Sequence, residues 1–309
     1  MTPSRPSVPV RPSSRPPVRS TRPAWRRALV AAALPLLAAG VLTACAPPSR
    51  ADRSAASPSP TPTPLVVAGT NHNAAAQAYA YPAAKVQGWL RQGNTAPDYP
   101  TQKIAFLTFD DGPSADATPQ VLDALRANNV PATFFVIAGP LGLGRTGPAQ
   151  LRQEVEAGNA VCIHSYSHDY QYLYPQRQAN IDHILTDEAK ALDHIRAALG
   201  PDYTPGCFRY PGGHMSWKGL ADSDAGLAGR GLSWIDWNAM TGDAESKSKV
   251  PSTPEEAAAN VRHDMALVKN PNVVVILMHD APGKKISTEA LPLIVSDLRA
   301  AGYAFGVIA

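Results

Sequence analysis

Residues 104–109 read Ile-Ala-Phe-Leu-Thr-Phe, a short apolar run that ends on two adjacent aspartates. Comparable runs recur at 132–137, 160–163, 207–210, 232–237, 273–278 and 303–308. Runs of this length, rich in β-branched and aromatic side chains, predict buried strands. Between them, helical periodicity covers 151–157, 177–199, 217–228, 254–268 and 288–301. A further helix is expected to open at Thr118, with Thr118 as cap and Pro119 in the first turn. Seven strands alternating with helices predict an α/β fold around a parallel sheet, either closed into a barrel or open and doubly wound. In both architectures functional side chains gather past the carboxyl ends of the strands, and the polar clusters of this chain fall there.

The N-terminal third has a different texture. Residues 1–45 carry seven Arg, no Lys and no acid, which leaves 21 basic against 25 acidic residues in the remainder. The sequence pI near 8.7 therefore describes the whole chain and not its mildly acidic body. Without a basic stripe in that body, nucleic acid is not an expected partner. The Arg pair 26–27 precedes an apolar run at 28–44, broken by Pro35 and Gly40 and stopped by Cys45. An apolar run of 17 residues is short for a membrane span, which needs about 20, and reads as an export signal, with an uncleaved anchor as the alternative. Its end, Leu42-Thr43-Ala44-Cys45, resembles a bacterial lipobox, which implies a lipid on Cys45. Residues 46–64 are rich in Pro, Ser and Thr and read as an extended tether. Residues 65–100 are Ala-rich, with a short helix near 83–90, and are grouped with the tether. The expected organisation is a signal segment over 1–45, a tether over 46–100 and a catalytic domain over 101–309. Cys162 and Cys207 are too few for a disulfide framework; an exported protein could pair them, but the preferred expectation is two small buried residues in neighbouring strands.

Five clusters carry candidate chemistry. Thr108-Phe109-Asp110-Asp111-Gly112-Pro113 ends the first run with two carboxylates, which point in different directions, one for a metal and one for substrate; an Asp-Gly-Pro turn uses the same residues. His164-Ser165-Tyr166-Ser167-His168 places two His at i, i+4, on one face if the segment makes a helical turn, which suits two metal ligands. Arg209-Tyr210-Pro211-Gly212-Gly213 puts a guanidinium at a strand end, where it can lock a carboxylate. Residues 234–243 hold Trp234 and Trp237, which suit a sugar ring or the core, and two acids, Asp236 and Asp243. Leu277-Met278-His279-Asp280 ends the sixth run with a His on the same rim.

The order of these clusters resembles the polysaccharide deacetylase family, also called the NodB-homology group or carbohydrate esterase family 4. The resemblance covers roughly residues 103–309 and implies a distorted (β/α)7 barrel with its active site at the carboxyl ends of the strands. It implies Asp110 as general base, Asp111, His164 and His168 as metal ligands, and Arg209 as the partner of Asp110. It implies His279 as general acid, tuned by an aspartate of the fourth cluster, Asp243, with Asp236 as the alternative. It further implies that Leu277 lines the acetyl pocket and that the Gly212 N–H faces the acyl oxygen, and Trp237 and Tyr210 are expected to contact substrate. Two features depart from the family pattern: the fourth cluster lacks the usual first Asp and Trp, and Gly212 stands where an aromatic is common. Two His and one carboxylate suit Zn2+, with Co2+ or Ni2+ as alternatives. The expected protein is an exported, lipid-anchored monomer on the outer face of a bacterial membrane. Its expected activity is metal-dependent N-deacetylation of peptidoglycan N-acetylglucosamine. The alternatives are a chitin-oligomer deacetylase, an O-acetyl xylan esterase and an inactive wall-binding lipoprotein.

Overall fold

The computed structural model describes residues 65–269 and 271–309. The expected signal segment, Cys45 and the stretch 46–64 lie outside the described residues. Among the described residues, no helix is long and apolar enough to cross a membrane.

Nine strands are formed among the described residues: β1 (Ala80–Tyr81), β2 (Ile104–Asp110), β3 (Thr133–Val136), β4 (Ala160–Ile163), β5 (Cys207–Phe208), β6 (Ser233–Trp234), β7 (Ala239–Met240), β8 (Val273–His279) and β9 (Ala304–Ile308). The helices are α1 (Ala83–Gln92), α2 (Ala117–Asn128), α3 (Leu143–Thr146), α4 (Pro148–Glu156), α5 (Tyr170–Leu173), α6 (Ile181–Leu199), α7 (Ala221–Ala228), α8 (Pro254–Leu267) and α9 (Ile286–Ala300). All ladders between these strands are parallel. They form a curled row in the order β7, β8, β2, β3, β4, β5, β6, whose two ends do not pair with each other. This is the distorted, open seven-stave barrel that the clusters imply, with one change of membership. The last apolar run, β9, is not a stave. It pairs with residues 104–106 of β2, on the edge that β3 occupies at 108–110. The seventh stave is the two-residue β7, too short for apolar periodicity to reveal.

Helices cover the outside, so the staves are buried on both faces and read as continuous apolar runs. The period of two still sorts their side chains. Ala105, Leu107 and Phe109 of β2 join Val274, Ile276 and Met278 of β8 in the layer beneath the helices. Ile104 and Phe106 instead meet Phe135, Val273 and Val275 in the barrel interior. The same interior rows continue upward to Thr108 and Asp110 on β2 and to Leu277 and His279 on β8. The site is therefore the polar top of the inner core. Thr118 does not cap α2, which begins at Ala117 with Asp116 in the cap position. Its hydroxyl accepts the Ser114 N–H at 2.7 Å and donates to Asp280.

The tether expected to reach residue 100 does not hold for residues 65–100. β1 pairs with β9, and Ala83, Val86 and Trp89 of α1 pack into the interior cluster with Phe106, Phe135 and Ile308. The Trp89 indole donates to the Asp98 carbonyl at 3.1 Å. This segment closes the end of the barrel opposite the site; the helix expected near 83–90 is present as α1, but its packing into the core was not expected.

Cys162 and Cys207 do lie in neighbouring strands, β4 and β5, but they are disulfide-bonded, with Cα atoms 5.3 Å apart. This corrects the reading as two unpaired residues. The bond closes a loop across a sequence separation of 45. It sits two residues before His164 on one strand and two before Arg209 on the other. Loop-closure entropy for a loop of this size predicts that Cys162→Ala/Cys207→Ala loses about 4 kcal/mol of stability. Thermal unfolding of the double variant beside the oxidised parent measures that loss.

Candidate active site

Asp110, Asp111, His164, His168, Gly212, Trp237, Asp243, Leu277 and His279 all line one cleft of about 210 Å3 at the carboxyl ends of the staves. Its floor is set by register: Asp110 and His279 are directly paired neighbours on β2 and β8. Both side chains belong to the interior row, so they stand side by side.

Asp111 follows Asp110 out of the strand. Its left-handed φ of 71° swings its carboxylate toward the two histidines. Asp111 Oδ1 lies 3.4 Å from His164 Nε2 and 3.2 Å from His168 Nε2. These three atoms all lie within 4.8 Å of one another. Asp111 Oδ1 is buried without a hydrogen-bond partner, an orphan acceptor aimed at two ring nitrogens. His164 Nδ1 lies 2.9 Å from the Arg209 carbonyl. A carbonyl only accepts, so Nδ1 carries the proton and Nε2 presents its lone pair to the cleft, the tautomer that metal-binding histidines need. One carboxylate and two imidazoles with open space beside them fit a divalent transition ion.

No helical turn joins the two histidines. Ser165 and His168 take left-handed φ values of 96° and 51°, and the loop is held from outside. Asp187 of α6 accepts the Ser165 hydroxyl at 2.6 Å, the Tyr166 N–H at 2.7 Å and the Ser167 N–H at 3.0 Å. Ser165 Oγ in turn accepts the His168 N–H at 2.8 Å. Asp187 was absent from the sequence reading, yet it left a signal: it sits between Ile184 and Ala191 on the buried stripe of α6, where a carboxylate needs a reason to be. Residues that orient metal ligands are typically worth about 10–100-fold in metal affinity. Asp187→Ala is expected to weaken Zn2+ binding by that factor, measured by competition with a chromogenic chelator.

Arg209 is fully buried and wholly occupied. Its Nη1 donates to Asp110 Oδ1 at 2.6 Å and Thr108 Oγ1 at 2.9 Å, its Nε to the Ile235 carbonyl at 2.9 Å. The guanidinium carbon lies 3.9 Å from the Phe135 ring centroid. Asp110 is thus pinned through one oxygen, and its Oδ2 stands 3.7 Å from His164 Nε2, beside the triad.

His279 is held by Asp243 and not by Asp236. Asp243 Oδ1 accepts from His279 Nδ1 at 2.7 Å, and Oδ2 accepts the His279 N–H at 3.0 Å and the Ser287 hydroxyl at 2.7 Å. The free nitrogen of the ring is Nε2, so that is the atom left for substrate. Burial opposes the imidazolium, but the bond and charge of Asp243, with smaller help from Asp111 and Asp110, raise His279 to about 9. Asp236 instead accepts the His214 N–H at 3.0 Å.

Tyr210 does not line the cleft. It is fully buried, and its hydroxyl donates to Asp224 at 2.9 Å. The alternation that sends Arg209 inward sends Tyr210 outward, under the helices. Two further residues matter: Asp280, quoted with its cluster but given no role in the sequence reading, and Tyr170, which that reading missed. Asp280 is buried beneath the Asp110–Gly112 turn, where its N–H donates to the Asp110 carbonyl at 3.1 Å and its carbonyl accepts from Ser114 at 2.6 Å. A Cβ on Gly112 would meet its carboxylate at 2.1 Å, so only glycine fits there. Tyr170 lines the cleft beside His168, their ring centroids 5.2 Å apart. Burial, then Asp111 and Asp110, raise its phenol above the ordinary value, so it is a donor at neutral pH.

Comparison with known proteins agrees with this geometry. The polysaccharide deacetylase family model matches residues 98–226. The chain is 30% identical over 212 residues to the peptidoglycan-N-acetylglucosamine deacetylase PgdA of Listeria monocytogenes, covering 69% of this chain and 39% of that protein. It therefore spans well under half of that relative's length. It is 30% identical over 202 residues to a chitooligosaccharide deacetylase of Sinorhizobium fredii, covering 65% of this chain and 80% of that one. A solved Streptococcus mutans CE4 esterase superposes with a TM-score of 0.73 at 38% identity, covering 80% of this chain and all of that one. On fold, cluster order and these likenesses, the chain belongs to the polysaccharide deacetylase family.

Proposed function

We propose that this protein is a metal-dependent hydrolase that removes N-acetyl groups from a cell-wall polysaccharide, with peptidoglycan N-acetylglucosamine as its substrate. The observation that carries the reading is the direct pairing of Asp110 and His279 on adjacent strands, each with its own partner, beside a triad built for a divalent ion. A base and an acid held side by side, each fixed by a separate partner, are what amide hydrolysis needs.

Asp111, His164 and His168 would hold the ion, Zn2+ by donor type, with Co2+ or Ni2+ as alternatives. Once bound, such an ion polarises an acyl oxygen and makes water acidic enough to ionise near neutral pH. Asp110, fixed by Arg209, accepts the proton of the attacking water through Oδ2. The Gly212 N–H has no acceptor among the described residues and is available to the acyl oxygen as negative charge develops. Leu277 bounds the acetyl methyl, and Trp237 forms a wall for the sugar. His279 Nε2 delivers a proton to the departing nitrogen, and Asp243 stabilises the imidazolium that gives it.

The substrate assignment draws support from the Listeria relative, which is named for peptidoglycan N-acetylglucosamine, and from the export signal. Cys45 would carry the lipid that keeps a monomeric enzyme on the outer face of the membrane, with residues 46–64 as its tether. A Cys45→Ala variant then leaves the membrane fraction; its retention there would contradict the anchor. The substrate itself is tested by acetate release from peptidoglycan, chitin oligomers and acetylated xylan under one set of conditions. Fastest release from peptidoglycan supports the assignment, and release from xylan alone would replace it with an O-acetyl esterase.

A further inference from the structure

Gly212 stands at the lip of the cleft with a φ of 80°. A side chain at this position would meet Trp217 Cζ2 at 3.2 Å and the Tyr170 hydroxyl at 3.3 Å. The space beside Gly212 is therefore filled by Tyr170, which lines the cleft, with Trp217 packed against it. It is rigidly built. The Trp217 indole donates to the Pro211 carbonyl at 2.8 Å. The buried Tyr174 stacks on Trp217 with centroids 4.0 Å apart and planes 10° apart. Tyr170 meets Trp217 edge-on at 5.2 Å. On its other side Tyr170 follows His168 by two residues, and the side chain of Asp169 between them accepts the N–H groups of Gln171 and Tyr172. The ring is thus braced by the metal loop and by the Trp217 stack.

The hydroxyl itself takes no part in this bracing. Among the described residues it has no hydrogen-bond partner, and Tyr170 remains 44% exposed while lining the cleft. A phenol fixed at the mouth of a site, with no partner of its own, is a donor waiting for a ligand acceptor. The carboxylates Asp110 and Asp111 that share the cleft can only accept, so a donor beside His168 complements a ligand rich in hydroxyl and carbonyl oxygens.

We propose that Tyr170 is a substrate-contacting residue: its hydroxyl donates a hydrogen bond to an oxygen of the bound N-acetylated sugar, and its ring bounds that sugar on the side where residue 212 has no side chain. This rests on the polysaccharide deacetylase reading above. Tyr170→Phe keeps the ring and removes the donor; Tyr170→Ala removes the wall as well.

The full chain loaded with Zn2+ is assayed for acetate release from tri-N-acetylchitotriose. Binding of the same oligomer is followed by tryptophan fluorescence, and metal content and melting temperature are measured for each variant. Tyr170→Phe is expected to lower kcat/KM about tenfold, the usual worth of one hydrogen bond to a buried polar ligand group. Tyr170→Ala should lower it further through a raised KM and weaker oligomer binding, both variants keeping the parent's metal content and melting temperature. If the parent is active and Tyr170→Phe matches it within about twofold, the role of Tyr170 is overturned alone. If the parent, while holding metal, neither binds nor hydrolyses the oligomer and releases no acetate from peptidoglycan either, the polysaccharide reading falls and this contact falls with it.

Discussion

Replacing His279 by Ala should slow N-acetyl hydrolysis by about two to four orders of magnitude, the usual worth of a positioned general acid. The effect on an O-acetyl ester should be much smaller. The difference lies in the leaving group. An alcohol departs as an alkoxide with modest help, whereas an amine cannot leave as its anion and must be protonated at nitrogen. His279 Nε2 is the free nitrogen of a ring whose Nδ1 is bound to Asp243 at 2.7 Å. Equal losses on the amide and the ester would remove His279 from the acid role. The same contact fixes a pH dependence. Asp243 raises His279 to about 9, so kcat/KM should fall at alkaline pH as this proton is lost. Asp243→Asn removes the charge that favours the imidazolium, and the alkaline limb moves to lower pH. For stability the sign is the same: with the folded value above the unfolded 6.5, the contribution is complete below pH 6.5 and lost as pH rises through about 9.

Arg209→Ala should be the most damaging single substitution in the inner core. The side chain is fully buried, and its removal leaves Asp110 charged, desolvated and without its 2.6 Å partner. Breaking a buried ion pair in this way costs roughly 3–5 kcal/mol, and two other acceptors, Thr108 and the Ile235 carbonyl, lose their donor as well. Arg209→Lys restores charge but not the fork that reaches all three, so it should recover stability only in part and activity hardly at all. Chemical unfolding gives the first quantity and acetate release the second. Near-parental stability in Arg209→Ala would mean that the pair does not carry the top of the barrel.

The strands were legible because staves buried on both faces are apolar throughout, and the site was legible because its residues follow those runs directly. Asp110 and His279 simply continue rows that begin with Ile104 and Val273. Where the signal depends on contact between distant segments, reading along the chain falls short. β7 is two residues long and exists because it lies against β8. Tyr210 sits among site residues in sequence, but strand alternation turns it to the other face. Cys162 and Cys207 were legible as neighbours, but their bond needs the two sulfurs to meet across β4 and β5, and α1 was legible as a helix while its place in the core was not. Tyr170 belongs to the same class: nothing in its own segment marks it, and its place follows from the absence of a side chain at 212.

Metal dependence and the base are tested together by one measurement: acetate release from peptidoglycan by the Zn2+-loaded protein, before and after chelation, beside Asp110→Asn. The amide keeps an acceptor for Arg209 while removing the basic oxygen. Chelator-sensitive, zinc-restored release by the parent is expected, with Asp110→Asn holding the same zinc but releasing at least about a hundredfold less. Release that persists without metal, or an Asp110→Asn variant as active as the parent, would contradict the assignment of these residues.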